Sequence, residues 1–131
     1  MKKILPILLI LPLVLVGCTT AVPEKELSSY RQITTQEAVA MMAKETNYII
    51  LDVRTQAEYD AGHIPGAILI PNETIGTDEI SQLPDKEQLI MIYCRSGNRS
   101  KQASEKLVKL GYTNIVEFGG INSWTGEITT D

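Results

Sequence analysis

The chain has 131 residues, enough for one ordinary domain, and its 16 acidic and 12 basic side chains give a formal net charge of −4 at pH 7. An acidic balance argues against nucleic acid as a partner and against electrostatic adhesion to anionic lipid. The single histidine and the two cysteines do not have the spacing of a metal site, so we expect no bound metal.

The first 17 residues have the pattern of an export signal. A basic start at Met1–Lys3 precedes an apolar run from Ile4 to Val16, which is shorter than the roughly 18–20 residues that a membrane-spanning helix needs. The sequence Leu15-Val16-Gly17-Cys18 then resembles the lipobox of bacterial lipoproteins. The resemblance implies that residues 1–17 are a signal peptide and that Cys18 is lipidated and becomes the mature N-terminus. The alternative is an ordinary secretory signal that happens to place a cysteine there.

Cleavage after residue 17 would remove Lys2 and Lys3 and take the formal net charge from −4 to −6. Residues 18–29 are polar and show no apolar period, so we expect a lipidated N-terminus and a flexible tether, followed by a folded domain over residues 30–131. The protein would then be exported and held by lipid on the extracytoplasmic face of a bacterial membrane. The pattern does not distinguish an inner from an outer membrane, or either from the membrane of a single-membrane cell.

Helical and strand patterns alternate after the tether. Helices are predicted over 35–44 (capped by Thr34), 56–60 (capped by Thr55), 73–83 and 99–110 (ended by Gly111), with a helical turn at 121–124. Strands are predicted at Tyr48–Val53, Ala67–Ile70, Gln88–Tyr93 and Ile115–Phe118, with Gly119-Gly120 breaking the last one. This alternation predicts a parallel sheet covered by helices on both faces, with ligands at the carboxyl ends of the strands.

Cys94 stands at such a strand end and begins the sequence Cys94-Arg95-Ser96-Gly97-Asn98-Arg99-Ser100. Loop amides, a helix N-terminus and two arginines place positive charge near the sulfur, which lowers a thiol pKa from about 8.5 toward neutrality. If Cys18 carries lipid, Cys94 has no disulfide partner within the chain and is a lone thiol in an exported protein. We therefore interpret Cys94 as a nucleophile rather than as a small buried apolar residue.

Four local patterns resemble, in order, those of the rhodanese-like (sulfurtransferase) domain family, and together they span about residues 30–126. The four patterns are Leu51-Asp52-Val53-Arg54 with Glu58-Tyr59, then Gly62-His63-Ile64-Pro65-Gly66-Ala67, then the Cys94 loop, and then Phe118-Gly119-Gly120 with Trp124. The resemblance implies a single α/β domain with a parallel five-stranded sheet and helices on both faces. It also implies transfer of sulfane sulfur through a cysteine persulfide, with no cofactor beyond that covalent intermediate.

The resemblance assigns roles to single residues. Cys94 would carry the persulfide, and the amides from Arg95 through Ser96, Gly97 and Asn98 to Arg99 would bind the terminal sulfur or an anionic donor. The side chains of Arg95 and Arg99 would attract a donor such as thiosulfate, and a thiol or a cyanide-like molecule would accept the sulfur. Arg99 pairing with a carboxylate such as Asp52 or Glu58 is an equal alternative. We expect the protein to be a monomer.

Other polar residues are interpreted as supports of the loop. Asp52 and Arg54 fit an internal charge pair at a strand end, and Ser100 fits the shaping of the loop after Cys94. His63 is the only histidine, and we interpret it as a brace in its Pro/Gly turn rather than as the base of a Cys–His pair.

Two other functions stay open. One is an oxyanion enzyme of the same fold, a phosphatase or arsenate reductase, and the other is a redox-sensing or partner-binding module that does not turn over. Four residues separate Cys94 from Arg99, one fewer than in the phosphatase-like pattern, and a shorter loop suits a single sulfur atom better than a tetrahedral oxyanion. No acid that could protonate a leaving alcohol stands near the loop in the sequence, so sulfur transfer is favoured.

Overall fold

The computed structural model describes residues 29–131, together with Pro12 and Gly17. The rest of the expected signal peptide, the lipidation site at Cys18 and nearly all of the tether therefore lie outside the described residues. In the described part, no helix combines the length and the apolar character needed to cross a membrane.

Five parallel strands form one sheet in the order β1-β5-β4-β2-β3. The strands are β1 (Arg31–Gln32), β2 (Tyr48–Asp52), β3 (Ile68–Leu69), β4 (Leu89–Cys94) and β5 (Ile115–Gly120). The predicted five-stranded parallel sheet is confirmed. The residue patterns did not indicate β1, whose two exposed polar residues form a strand because they pair with Val116 and Glu117 of β5.

Three helices cover the sheet: α1 (Thr35–Lys44), α2 (Gln56–Ala61) and α3 (Asn98–Lys109). α1 and α2 begin with the capping boxes of Thr34 with Glu37 and Thr55 with Glu58, so their starts are encoded locally. The turn predicted at 121–124 is a 3-10 turn at Ile121–Ser123.

Two predictions about elements are wrong. Residues 73–83 are not a helix; only a 3-10 turn at Asn72–Thr74 forms, and the segment beyond it buries Leu83, whose carbonyl accepts a hydrogen bond from Tyr112 Oη at 2.6 Å. Gly119 and Gly120 do not break β5, which includes both. In each case a contact with a distant segment overrides the local residue preference.

The sheet separates two apolar clusters. Leu51 and Ile92 face Leu107 of α3 on one side, whereas Met91 and Phe118 face Ala38 of α1 on the other. Burial of β4 on both faces fits its continuous apolar sequence. Cys94 ends this central strand and belongs to the cluster on the α3 side, so its sulfur lies where α3 begins.

Candidate active site

Cys94 is the last residue of β4 and is almost fully buried. The amide of Gly97 donates to its Sγ at 3.0 Å, and the sulfur lies 3.5 Å from Ser100 Oγ. Burial opposes ionisation of the thiol, but the Ser100 hydroxyl and the amides of Ser100, Gly97 and Ser96 outweigh it, so the pKa of Cys94 is lowered. Of the expected sources of positive charge, the loop amides are therefore in place beside the sulfur.

The loop after Cys94 turns sharply into α3. Gly97 has φ +113°, a conformation that favours glycine, and α3 starts at the next residue, Asn98. The side chains of Arg95, Ser96 and Asn98 are exposed, whereas Gly97 is buried. The backbone thus faces the sulfur while the polar side chains face solvent.

The end of β5 packs against this loop. The register between β4 and β5 shifts after Ile92, so that Cys94 pairs with Gly120. A Cβ on Gly120 would collide with the carbonyl of Arg95, and that carbonyl accepts a hydrogen bond from the Asn122 amide at 3.2 Å. The close approach of the two backbones therefore requires glycine at position 120, inside the strand.

Arg99 forms a two-pronged ion pair with Glu58 of α2. Its Nη1 and Nη2 donate to Glu58 Oε1 and Oε2 at 2.7 and 2.9 Å, so of the two carboxylates considered from the sequence, Glu58 is the partner. The hydrogen bonds from Arg99 lower the pKa of Glu58 to about 2; partial burial opposes this shift, and hydrogen bonds from Thr55 add to it. The pair connects the first turn of α3 to α2.

We expect this pair to make stability depend on pH in the acid range. The Glu58 carboxyl has a pKa of about 2 when folded against a usual 4.5, so its stabilisation is complete above about pH 4.5 and is lost as the pH falls toward 2. Thermal unfolding of wild type and Glu58→Gln should therefore differ most at pH 5 and above and converge near pH 2. A difference in melting temperature that stays constant over this range would contradict the assignment.

Asp52 and Arg54 form the internal charge pair that the sequence indicates. Arg54 Nη2 donates to Asp52 Oδ2 at 2.7 Å and to the Gly62 carbonyl at 2.7 Å, and Tyr93 Oη donates to the same Asp52 oxygen at 2.7 Å. Both members of the pair are buried. The pair joins the ends of β2 and β4 to the loop after α2.

His63 occupies a bracing position away from the sulfur. Its ring stacks on Tyr59 with centroids 3.7 Å apart, and its Nδ1 lies 2.9 Å from the Tyr59 carbonyl. Its backbone pairs with Thr129 in an antiparallel bridge. Within residues 29–131, no hydrogen bond joins His63 to Cys94, which fits the bracing interpretation.

A cleft of about 350 Å³ lies beside the loop. Arg95 and Arg54 line it together with Glu58, and Ile121 and Ile128 supply its apolar part. Arg95 therefore places a positive charge at the cleft, next to the loop that carries the cysteine, whereas Arg54 is paired with Asp52 and Glu58 with Arg99.

Glu117 is the residue of this site that sequence reasoning missed. It is buried on β5, and its Oε1 accepts hydrogen bonds from Ser100 Oγ at 2.6 Å and from the Gly119 amide at 2.8 Å. Glu117 is therefore an acid close to the loop in space, but it lies on the side of Ser100 and Gly119 and not among the residues that line the cleft. The one available signal was a glutamate inside the otherwise apolar strand sequence Ile115-Val116-Glu117-Phe118.

Within residues 29–131, no three His, Cys, Asp or Glu side chains cluster in a way that could hold a metal ion.

Comparisons with known proteins identify similar chains. The family model described as the rhodanese-like domain matches residues 34–127. The thiosulfate sulfurtransferase PspE of Escherichia coli K12 is 37% identical over 71 residues, which are 54% of this chain and 68% of that protein. A sulfurtransferase of Allochromatium vinosum is 35% identical over 94 residues, 71% of this chain and 86% of that protein. The adenylyltransferase and sulfurtransferase UBA4 of Meyerozyma guilliermondii is 30% identical over 119 residues, but the chain spans only 27% of its length.

Solved structures agree with these relatives. A rhodanese-like domain protein from Staphylococcus aureus superimposes with a TM-score of 0.67 at 32% identity, covering 77% of this chain and 98% of that one. A rhodanese from Escherichia coli that was solved with anions gives 0.58 at 32% identity, covering 64% of this chain and 99% of that one. Both similarities extend over nearly the whole length of the solved chains.

Proposed function

The chain belongs to the rhodanese-like domain family, and from this we propose that it is a sulfurtransferase that carries sulfane sulfur as a persulfide on Cys94. The observation that carries the proposal is the 3.0 Å hydrogen bond from the Gly97 amide to Cys94 Sγ, inside a loop whose donors lower the thiol pKa. The ionised sulfur is the nucleophilic form of a cysteine. Sulfurtransferases among the relatives support this choice of reaction.

The reaction has two nucleophilic steps. The Cys94 thiolate attacks the sulfane sulfur of thiosulfate, a new S–S bond forms, and the S–S bond of thiosulfate breaks as sulfite leaves with the electron pair. The persulfide then holds the negative charge on its terminal sulfur, where the loop amides stabilise it. A thiol or cyanide attacks that sulfur and Cys94 leaves as a thiolate, so neither step needs an oxidant, a reductant or a cofactor.

The donor would reach the sulfur through the cleft beside the loop. Arg95 is exposed and lines that cleft, so its guanidinium is available to a dianion such as thiosulfate. Arg99 directs both terminal nitrogens at Glu58, so we assign it mainly to holding the loop against α2. Ser96, Gly97 and Asn98 would contribute chiefly through the backbone.

The loop length supports sulfur transfer over phosphate or arsenate chemistry. Four residues separate Cys94 from Arg99, and the arginine that would cover an oxyanion is paired with Glu58. Glu117 lies below the sulfur, on the side of Ser100 and Gly119, rather than among the residues that line the cleft. None of these features provides an acid for a leaving alcohol.

The N-terminal pattern supports an extracytoplasmic location. The sequence Leu15-Val16-Gly17-Cys18 would make Cys18 the lipidated N-terminus, and several acyl chains on one residue anchor a protein stably. Residues 19–29 would connect the anchor to the domain. We propose that the protein works as a lipid-anchored monomer at a bacterial membrane.

One measurement tests both parts of the proposal. The intact mass of the native protein from its host membrane should show loss of residues 1–17 and addition of lipid, and incubation with thiosulfate should add one sulfur atom. Cyanide should remove that sulfur again. A mass that thiosulfate leaves unchanged would refute the sulfurtransferase, whereas an unlipidated N-terminus would refute only the anchor.

A further inference from the structure

Glu117 is a buried carboxylate that the reaction described above does not use. It is only 2% exposed, and its hydrogen bonds come from Ser100 Oγ and the Gly119 amide. Among residues 29–131 no lysine or arginine forms an ion pair with it. A buried charge without a basic partner is costly, so its position below the loop calls for an explanation.

Ser100 connects this carboxylate to the sulfur. Its hydroxyl has a single hydrogen, whose acceptors are Glu117 Oε1 at 2.6 Å and the carbonyls of Gly97 and Gly119 at 2.9 and 3.3 Å. The Cys94 thiol in turn donates to Ser100 Oγ at 3.5 Å, so the sulfur becomes an acceptor for this hydrogen only as a thiolate. The carboxylate is the nearest acceptor and the charged one, and charge-assisted hydrogen bonds are the stronger ones. The hydroxyl can stabilise a thiolate only when its hydrogen points at the sulfur, so Glu117 and the Cys94 thiolate compete for one donor.

We propose that Glu117 is a positioning residue that keeps the Ser100 hydrogen away from Cys94, and thereby raises the free energy of the thiolate relative to that of the persulfide. This inference rests on the proposed persulfide function. In the free thiolate the charge lies on Sγ, next to Ser100. In the persulfide it lies on the terminal sulfur, one S–S bond of about 2 Å beyond Sγ. The loss of the hydroxyl donor therefore penalises the thiolate more, and loading with sulfur becomes more favourable.

The other charged groups described at this edge of the sheet do not compete with the thiolate for the Ser100 hydrogen. Arg95 from the loop and Arg99 from α3 are positive and favour both charged forms of the cysteine. Glu58 is paired with Arg99, and the Asp52–Arg54 pair is internally neutralised. Glu117 is the acidic group that reaches the sulfur through one shared hydroxyl.

The test is the pH dependence of Cys94 alkylation by iodoacetamide in wild type, Glu117→Gln, Ser100→Ala and the double variant. In Glu117→Gln the competing acceptor is neutral and therefore weaker, so the hydroxyl can turn to the thiolate; the thiol pKa should fall by about one unit and alkylation below that pKa should accelerate about tenfold. In Ser100→Ala the thiol pKa should rise by less than about half a unit, because the hydroxyl that lowers it is directed mainly at Glu117. In the double variant most of the effect of Glu117→Gln should disappear.

Several results would overturn the inference. They are an unchanged or raised pKa in folded Glu117→Gln, a rise of more than about half a unit in Ser100→Ala, or an undiminished effect in the double variant. If Glu117→Gln does not fold, the thiol pKa of Ser100→Ala tests the inference alone.

A second readout concerns sulfur loading. At a fixed ratio of thiosulfate to sulfite, Glu117→Gln should hold less persulfide than wild type, and an equal or larger amount would contradict the inference. A wild type that takes up no sulfur would refute the proposed function, while the alkylation profiles would still measure the effect of Glu117 on the thiol.

Discussion

Replacing Cys94 with alanine is expected to lower thiosulfate–cyanide turnover by at least about 10³-fold, because the variant lacks the atom that forms the persulfide. The loop amides cannot replace it, since they stabilise charge on sulfur but do not attack. The fold should persist: the substitution removes one buried atom from the α3-side cluster, at a cost of about 1 kcal/mol. Steady-state kinetics and thermal unfolding measure the two quantities.

A surface variant provides the control for this loss. Val39 lies on α1 and is 41% exposed, and Val39→Ala should keep wild-type turnover. Turnover in Cys94→Ala within tenfold of the control would show that sulfur does not pass through this residue. A loss of turnover accompanied by unfolding would be assigned to the fold, and Cys94→Ser, which keeps the size of the side chain more closely, would then separate chemistry from packing.

Asp52→Ala is expected to lower the free energy of unfolding by about 3–5 kcal/mol, the largest stability effect we predict. The substitution leaves the buried Arg54 guanidinium without its carboxylate, and it also removes the acceptor of the Tyr93 hydroxyl. Both groups are buried, so the cost is mainly that of a buried charge that has lost its partner. Urea denaturation followed by circular dichroism measures the loss.

The Glu58–Arg99 pair provides the matched comparison. Its side chains are 27% and 26% exposed, against 0% and 6% for Asp52 and Arg54. Solvent screens the more exposed pair, so Glu58→Gln should cost only about 1 kcal/mol. A loss in Asp52→Ala no larger than that in Glu58→Gln would contradict the role assigned to the buried pair.

Several parts of the fold could be predicted because their causes are local. Thr34 with Glu37, and Thr55 with Glu58, satisfy the first amides of α1 and α2 within one turn, so the helix starts follow from residues three apart. The apolar sequence Leu89–Tyr93 indicates a strand buried on both faces. Such signals need no knowledge of the rest of the chain.

Other parts depend on contacts that a local pattern does not contain. β1 has two exposed polar residues and exists through its pairing with β5. The segment 73–83 has a weak helical pattern, but burial of Leu83 and the hydrogen bond from Tyr112 hold it in an irregular conformation. A weak local preference loses to burial of apolar surface against a core assembled from distant elements.

At the site, the nucleophile candidate Cys94, the short loop to Arg99 and the helix that follows could all be recognised in the sequence, because these features are contiguous. The pairing of Arg99 with Glu58 and the contact of Glu117 with Ser100 became visible only in the folded chain. Both depend on the crossover connections of a parallel sheet. These connections bring α2 and β5 next to the loop, although Glu58 is 41 residues from Arg99 and Glu117 is 17 residues from Ser100 in the sequence. A pattern of neighbouring residues does not indicate contacts over such separations.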